Sequence, residues 1–363
     1  MPLATSPGRT VPRRALSGRS LPRRTALLAP LVLGALGAGA LTGCDDGAAS
    51  SAAAGGPSDG EGTTRFPLEI ANCDAQLRFE SAPERLVLLE TAPVTLLDGL
   101  GVLDRVVAKA GVFPAAYYQA DHFGDLAERV AAIDVLSDDI NGAGHLQINQ
   151  EVVIAQSPDL VLGLPDGVTR EGLAAAGAQV LVQNVYCGGA GAATWDDLYD
   201  EVRLYGRILD RQDAAEQFVT ALGKRLDAVR EGASSRERMS AAVLYPTVGG
   251  GPLYTYGAAS MATPQLDAVG LDNAFASSTE RVFEVSSEAL IDADPEHLIV
   301  LYQGEGDGSD VLAELERSAG IGDLDAVREG RVRAQLFNFT EPASALVVDG
   351  AEQLSRWLSE IHA

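Results

Sequence analysis

Residues 149–162 read NQEVVIAQSPDLVL, and residues 286–299 read SSEALIDADPEHLI. Set at an offset of 137, both have a polar residue (Asn149, Ser286) and Glu two places on (Glu151, Glu288). Pro follows seven places after the Glu (Pro158, Pro295), and then come an acidic residue and an apolar run. Asn and Ser are good helix N-caps, and a first-turn Glu suits the helix dipole. Pro ends a helix, and the apolar run behind it reads as a buried strand. Each copy therefore predicts a helix of about eight residues followed by a strand. A unit used twice at one offset predicts two lobes built alike.

The flanking sequence keeps the same grammar. ERLVLLE (84–90), VVA (106–108), PDLVLGL (158–164) and AQVLVQN (178–184) read as strands, separated by helical stretches such as EGLAAAG. The pattern restarts at SAAVLYP (240–246), continues through HLIVLYQ (297–303) and RVRAQLFNF (331–339), and closes on a helix in SALVVDGAEQLSRWLSEIH. Strands alternating with helices predict parallel sheets, and unbroken apolar runs predict strands buried on both faces. The fold class is α/β, with two Rossmann-like lobes at 66–193 and 233–363, each large enough for its own core. Residues 194–232 between them are helical. In RQDAAEQFVTALGKRLDAVREG, Ala215, Phe218, Val219, Leu222, Leu226 and Val229 share one face, with Asp210 placed to cap the start and Gly232 the end. A single long helix of about 30 Å is predicted to join the lobes.

The first 43 residues hold six Arg, including the pairs Arg13–Arg14 and Arg23–Arg24, and no Asp or Glu. The apolar ALLAPLVLGALGAGA (26–40) leads into Leu41-Thr42-Gly43-Cys44. A basic start, an apolar core too short to span a bilayer and small residues before a cut describe an export signal at 1–43. Cys44 after Leu-Thr-Gly resembles the lipobox of bacterial lipoproteins. That implies acylation of Cys44 and anchoring to the cell membrane on its extracytoplasmic face. An ordinary secretory signal is the alternative, and the Arg pairs leave twin-arginine export open. Residues 44–65, rich in Gly, Ala and Ser, read as a flexible tether reaching roughly 25 Å.

The chain carries −24, and about −30 without the six Arg of the signal. Nucleic acid and anionic lipid surfaces are therefore poor partners, while neutral or cationic ligands are easier to accommodate. Cys73 and Cys187 remain after Cys44. In an exported protein such a pair reads as a disulfide, with two free thiols as the alternative.

The lipobox, ERLVLLETAPVTLLDGLGVLDRVVA, NQEVVIAQSPDLVLG, the joining helix, VSSEALIDADPEHLIV and DAVREGRV together resemble the iron-siderophore substrate-binding lipoproteins, receptors of ABC importers in the siderophore and cobalamin group. The resemblance implies a monomeric receptor that holds a ferric siderophore between two lobes and delivers it to permease subunits. It implies that Glu151 and Glu288 dock against Arg residues of the permease; helix starts alone explain them equally well. Ligand contacts are expected where open α/β sheets bind, at the carboxyl ends of strands. Those in the first lobe are Thr91, Tyr117, Tyr118, His145 and Asp166. Those in the second are Tyr254, Tyr256, Arg281, Phe283, Asn338 and Phe339. Each tyrosine suits core packing as well as contact. Where the group often has Trp before Val-Ser, Val282-Phe283 stands here, and an Arg-rich pocket for a strongly anionic chelate is not evident. A neutral or cationic ferric hydroxamate is the expected ligand, with haem or a corrinoid as the runner-up.

Direct metal capture needs several His and carboxylates around one ion, and the four His (His122, His145, His297, His362) are scattered. GEGDGSD (304–310) lacks the ligand spacing of an EF-hand. With no Gly-x-Ser-x-Gly elbow and no Lys-Ser/Thr phosphate loop, no enzyme activity, catalytic residue, metal site or cofactor is expected.

Overall fold

The computed structural model describes residues 63–141, 145–188 and 191–362. The export signal, Cys44 and the tether up to residue 62 lie outside the described residues. The end of the expected tether is held instead. The Thr64 amide donates to Asp210 Oδ1 at 2.9 Å, and its hydroxyl donates to the Arg207 carbonyl at 2.8 Å.

An antiparallel hairpin that the sequence reading missed comes next, β1 (Leu68–Asn72) and β2 (Ala75–Phe79). The buried Asn72 side chain ties it to the first lobe, accepting from the Val182 amide at 2.9 Å and donating to the Val182 carbonyl at 2.7 Å. Beside it the Cys73–Cys187 disulfide closes a separation of 114 residues. Such a closure stabilises by about 4–5 kcal/mol in the chain-entropy account.

The first lobe runs β3 (Leu86–Leu88), α1 (Pro93–Gly99), β4 (Val106–Ala110), α2 (Leu126–Ala131), β5 (Val135–Ser137), α3 (Gln150–Ile154), β6 (Leu160–Leu162), α4 (Arg170–Ala175) and β7 (Gln179–Leu181). Its five strands are all parallel, in the order β5-β4-β3-β6-β7. Helices α5 (Trp195–Ile208) and α6 (Gln212–Ala233) make the crossing. The second lobe follows as β8 (Met239–Pro246), β9 (Leu253–Tyr256), α7 (Ala262–Ala268), β10 (Leu271–Asn273), β11 (Val282–Glu284), α8 (Ser287–Ala293), β12 (His297–Tyr302), α9 (Ser309–Arg317), α10 (Asp325–Arg328), β13 (Val332–Leu336) and α11 (Ala345–Ile361). This second sheet is mixed, which corrects the all-parallel expectation. Strands β8, β10, β12 and β13 are parallel, while β9 runs against β8 and β11 against β9. The Thr247–Pro252 link is too short for a crossover, so it can only turn the chain back on itself.

Strand alternation sorts the core into layers. Leu86, Leu88, Leu160 and Leu162 of the first sheet and Ala241, Val243, Ile299 and Leu301 of the second join one continuous core with α1, α5, α6, α7 and α11. Val87, Val161 and Val180 face α3 and α4 on the other side, as Leu244, Leu298 and Val300 face α8 and α9. The lobes thus share their inner layer. Gly350 of α11 permits the closest approach in it, because a Cβ there would stand 1.9 Å from the Phe339 carbonyl oxygen.

Helix α6 buries Ala215, Leu222, Leu226 and Val229 as expected, with Phe218 and Val219 partly buried against the core. Its ends differ from expectation. Asp210 adopts a left-handed backbone (φ 58) and gives its carboxylate to Thr64, so it does not cap the helix, and Gly232 lies inside a helix that continues to Ala233. Where it packs on α11, the part-buried Arg225 donates to Asp349 at 2.7 Å and to Glu352 at 2.9 Å, and His122 Nε2 lies 3.1 Å from the same Asp349 carboxylate.

The repeated unit keeps its backbone. Asn149 Oδ1 accepts from the Glu151 amide and Ser286 Oγ from the Ala289 amide, so both caps form. The helices are shorter than eight residues, five in α3 and seven in α8. The residue before each Pro turns left-handed, Ser157 at φ 49 and Asp294 at φ 40, because Pro bars that residue from the right-handed helical region. The acidic residue after each Pro has an equivalent partner. Asp159 accepts from the Glu84 and Arg85 amides at 2.8 and 2.9 Å, just ahead of β3. Glu296 accepts from the Ser240 amide at 2.8 Å, at the start of β8. Each copy thereby fastens the amino end of its neighbouring central strand. Replacing Asp159 or Glu296 by Ala is expected to lower stability by about 1 kcal/mol each, measured by urea unfolding. The double variant should lose the sum, because the two clamps sit in different sheets.

Candidate functional site

The carboxyl ends of the two sheets meet each other. From the first lobe come Glu90 and Thr91 after β3, Phe113 after β4, Leu164 to Asp166 after β6 and Tyr186 after β7. From the second come Tyr245 on β8, Tyr254 on β9, Tyr302 ending β12, and Phe337 and Asn338 after β13. Contacts cross between them. The Asn338 amide donates to the Tyr117 hydroxyl at 3.0 Å, the Tyr117 and Phe339 rings meet edge-on at 5.2 Å, and the Arg281 guanidinium lies 5.4 Å from the Tyr186 ring centre.

The structure divides the expected contact residues. Tyr117, Tyr118, Tyr256 and Phe339 are 3, 1, 3 and 6 % exposed and pack in the shared core. In this conformation they form a floor beneath the edge where ligand contacts are expected. His145 and Asp166 are exposed on loops, while Thr91, Tyr254, Arg281, Phe283 and Asn338 are partly buried along the edge. Some already have partners. Thr91 Oγ1 donates to the Val112 carbonyl at 3.1 Å, Asn338 Nδ2 donates to the Glu341 carbonyl at 2.8 Å, and Phe283 stacks edge-on with Phe275. The sequence reading missed Tyr186, 42 % exposed beside Arg281, and the half-buried Tyr245, Tyr302 and Phe337. An aromatic at or just past the carboxyl end of each of β8, β12 and β13 was the signal for the last three.

The site is also built on carboxylates that the sequence reading did not single out. Glu341 is fully buried and accepts from the Met261 amide at 2.8 Å and from Arg281 at 3.3 Å. Burial raises its carboxyl's pKa, and the neighbouring Arg281 opposes the rise. Glu90 and Glu201 have no cation partner among the described residues. Burial pushes the Glu90 carboxyl up to about 8. Burial first and the Glu90 charge second push Glu201 up to about 8 as well, against the Asn184 amide that favours its ionised form. Gly163, at φ +100, makes room for the Glu90 stem, because a Cβ there would lie 3.2 Å from Glu90 Cγ. Glu90 was legible as an acid closing an apolar strand, and Glu201 as an acid on the apolar stripe of Leu198, Val202 and Tyr205.

Glu151 and Glu288 are exposed in the first turns of α3 and α8, and their carboxylates pair with no described residue. Two surface hollows of 390 and 380 Å³ lie elsewhere, at the amino end of β4 and at the start of α5, and neither is lined by an expected contact residue. Among the described residues no group of three or more His, Cys, Asp or Glu is placed to hold a metal ion. None of their helices is long and apolar enough to cross a membrane.

Comparison with known proteins bears on this arrangement. The family model described as periplasmic binding protein matches residues 86–335. A solved structure from Saccharomonospora viridis DSM 43017, an ABC-type Fe3+-hydroxamate transport system, is 49 % identical, with 80 % of this chain and 99 % of that one covered and a TM-score of 0.73. A periplasmic haem-binding protein from Roseiflexus sp. RS-1 (18 % identity, 78 and 100 % covered, TM-score 0.59) shares the fold. So does a periplasmic vitamin B12 binding protein of Vibrio cholerae (17 %, 77 and 98 %, 0.54). A search of curated proteins returned no match.

The two unpaired carboxyls set a pH dependence. Folded, they hold protons up to about 8; unfolded, they release them near 4.5. The folded state binds more protons in between, so stability falls as pH rises through that window. Glu90→Gln and Glu201→Gln should melt like the native chain at pH 5 and above it at pH 9. Melting curves that stay parallel across the range would show the carboxyls to be solvated.

Proposed function

The chain belongs to the periplasmic binding protein family, and from that premise we propose that it is the extracytoplasmic receptor of an ABC importer for a ferric siderophore of hydroxamate type. The carrying observation is 49 % identity, over 80 % of this chain, to a protein of an Fe3+-hydroxamate transport system. The edge between the lobes supports the reading. Aromatic faces (Tyr186, Tyr245, Tyr302, Phe337) suit the hydrocarbon arms of a wrapped chelate. Arg281 supplies a cation whose charge is already partnered by Glu341, so the site lacks the cationic excess that a highly charged anion requires. Haem or a corrinoid is the second reading, favoured by the exposed imidazole of His145, a side chain able to serve as an axial ligand.

The delivery surface in this reading is carried by Glu151 and Glu288. Each stands in the first turn of a short helix, exposed and unpaired, one per lobe. Two carboxylates set apart on a two-lobed body suit basic residues on a two-subunit permease, where rim charges set register and encounter rate. The remaining parts of the proposal are residues 1–43 as export signal, Cys44 as the acylated anchor, the stretch after it as tether, and a monomer that performs no catalytic step.

Ferric trihydroxamates should raise the melting temperature more than their iron-free forms, since iron preorganises the chelator. At a hundredfold excess over Kd the stabilisation is about 2.7 kcal/mol. A shift with haem or cobalamin and none with any ferric hydroxamate would transfer the assignment to the second reading. Reversing both Glu151 and Glu288 to Arg should abolish uptake in cells while leaving chelate affinity unchanged, and each single reversal should reduce uptake in part. Transport at the native rate by the double variant would leave these residues as helix-start residues only.

A further inference from the structure

The Glu90 carboxylate has no hydrogen-bond or ion-pair partner among the described residues, and its Oε1 is buried. It stands at the carboxyl end of β3, the middle strand of its sheet, which is the edge where an open α/β sheet meets its ligand. Behind it on α5, Glu201 is 3 % exposed and its Oε1 also lacks a partner. The Tyr205 hydroxyl, on a residue 1 % exposed, lacks one too, and it lies within electrostatic reach of both carboxyls. The other titratable groups facing this cluster are Tyr186, which feels Glu90, and beyond it the Arg281–Glu341 pair, joined at 3.3 Å. Buried polar groups are nearly always satisfied within the fold. Three unsatisfied oxygens on residues within electrostatic reach of one another, one of them on a partly exposed residue of the ligand edge, make a seat that lacks one cation.

We propose that Glu90, backed by Glu201 and the Tyr205 hydroxyl, receives a positively charged group of the captured chelate, an ammonium carried on a ferric hydroxamate. This rests on the receptor function proposed above and narrows its ligand class. The exchange balances in charge: an ammonium enters, forms N–H···O bonds to the carboxylate, and one proton leaves the glutamate pair for solvent. An amine with an ordinary pKa of about 10.4 stays charged throughout. The carboxyls hold their protons up to about 8. Affinity for a cationic chelate therefore rises roughly tenfold per pH unit below about pH 8 and levels off above it.

The test uses the full chain and two probes, a linear ferric trihydroxamate with a free terminal primary amine and the same chelate N-acetylated, titrated calorimetrically at pH 6, 7 and 8. The amine form should bind about tenfold to a hundredfold tighter at pH 8, the range of a charge-assisted hydrogen bond. The advantage should narrow toward pH 6. Titrations in buffers of different ionisation enthalpy should show about one proton released with the amine form and none with the acetylated form. Glu90→Gln should abolish both the preference and the proton release. The comparison of the two chelates needs no variant, so it stands even if Glu90→Gln folds poorly. Equal affinity at pH 8, or a preference that survives Glu90→Gln, overturns the inference and leaves the receptor function intact. Failure of both chelates to bind removes the receptor reading along with it.

Discussion

A carboxylate taken out of water must gain a cation, amide donors or a proton. The joints of this protein are made of carboxylates that take each of these routes. Asp349 gains Arg225 and so binds α11 to the helix that crosses between the lobes. Glu341 gains Arg281 and the Met261 amide at the point where the second lobe meets the first. Asp159 and Glu296 gain backbone amides and fix the amino ends of the two central strands. Glu90 and Glu201 keep their protons. In a chain of net charge −24 the acids outnumber the available cations, so where they are buried decides which of them remain open to a ligand.

The shared inner layer bears on how such a receptor works. Sequence patterning treats the lobes as separate bodies, each with its own core, yet the inner faces of both sheets pack on the same set of helices. Lobes that meet through a large apolar layer resist wide hinge motion. Capture then depends on a site that is largely formed beforehand: a floor of Tyr117, Tyr118, Tyr256 and Phe339, with movable edges above it. Arg281 stacked on Tyr186 and the bond from Asn338 to Tyr117 span the two edges, so a ligand entering between them works against specific contacts and leaves the core intact.

The repeated unit serves two needs through different residues. Its caps and its acid after Pro are used up inside the fold, where they start a helix and hold a strand. Its Glu is left over, exposed and unpaired in both copies. Folding needs the caps and the acid after Pro, whereas Glu151 and Glu288 serve either the helix start or the permease docking proposed for them.

Much of the architecture was legible because local rules produce it. The apolar runs at 86–88, 160–162 and 297–302 became strands. The stripe from Ala215 to Val229 became the crossing helix, and Asn149 and Ser286 became caps. Periodicity and capping act within a few residues, and that information lies wholly in the chain. The short strands β1, β2, β9 and β11 were not legible, because five residues or fewer of mixed polarity become strands only when a neighbour supplies the hydrogen bonds. Asp210 as a cap failed for a related reason: a distant backbone amide, that of Thr64, claimed its carboxylate. The site depended most on tertiary structure. Four tyrosines and phenylalanines expected at the ligand are floor, while Tyr186, Glu90 and Glu201 owe their positions to strands and helices far apart in the chain. The sequence by itself determined two α/β lobes, one helical crossing and a chemistry of capture. Only the folded chain decided which polar groups are satisfied and which are left unpaired, because burial and the reach of a partner are properties of packing in three dimensions.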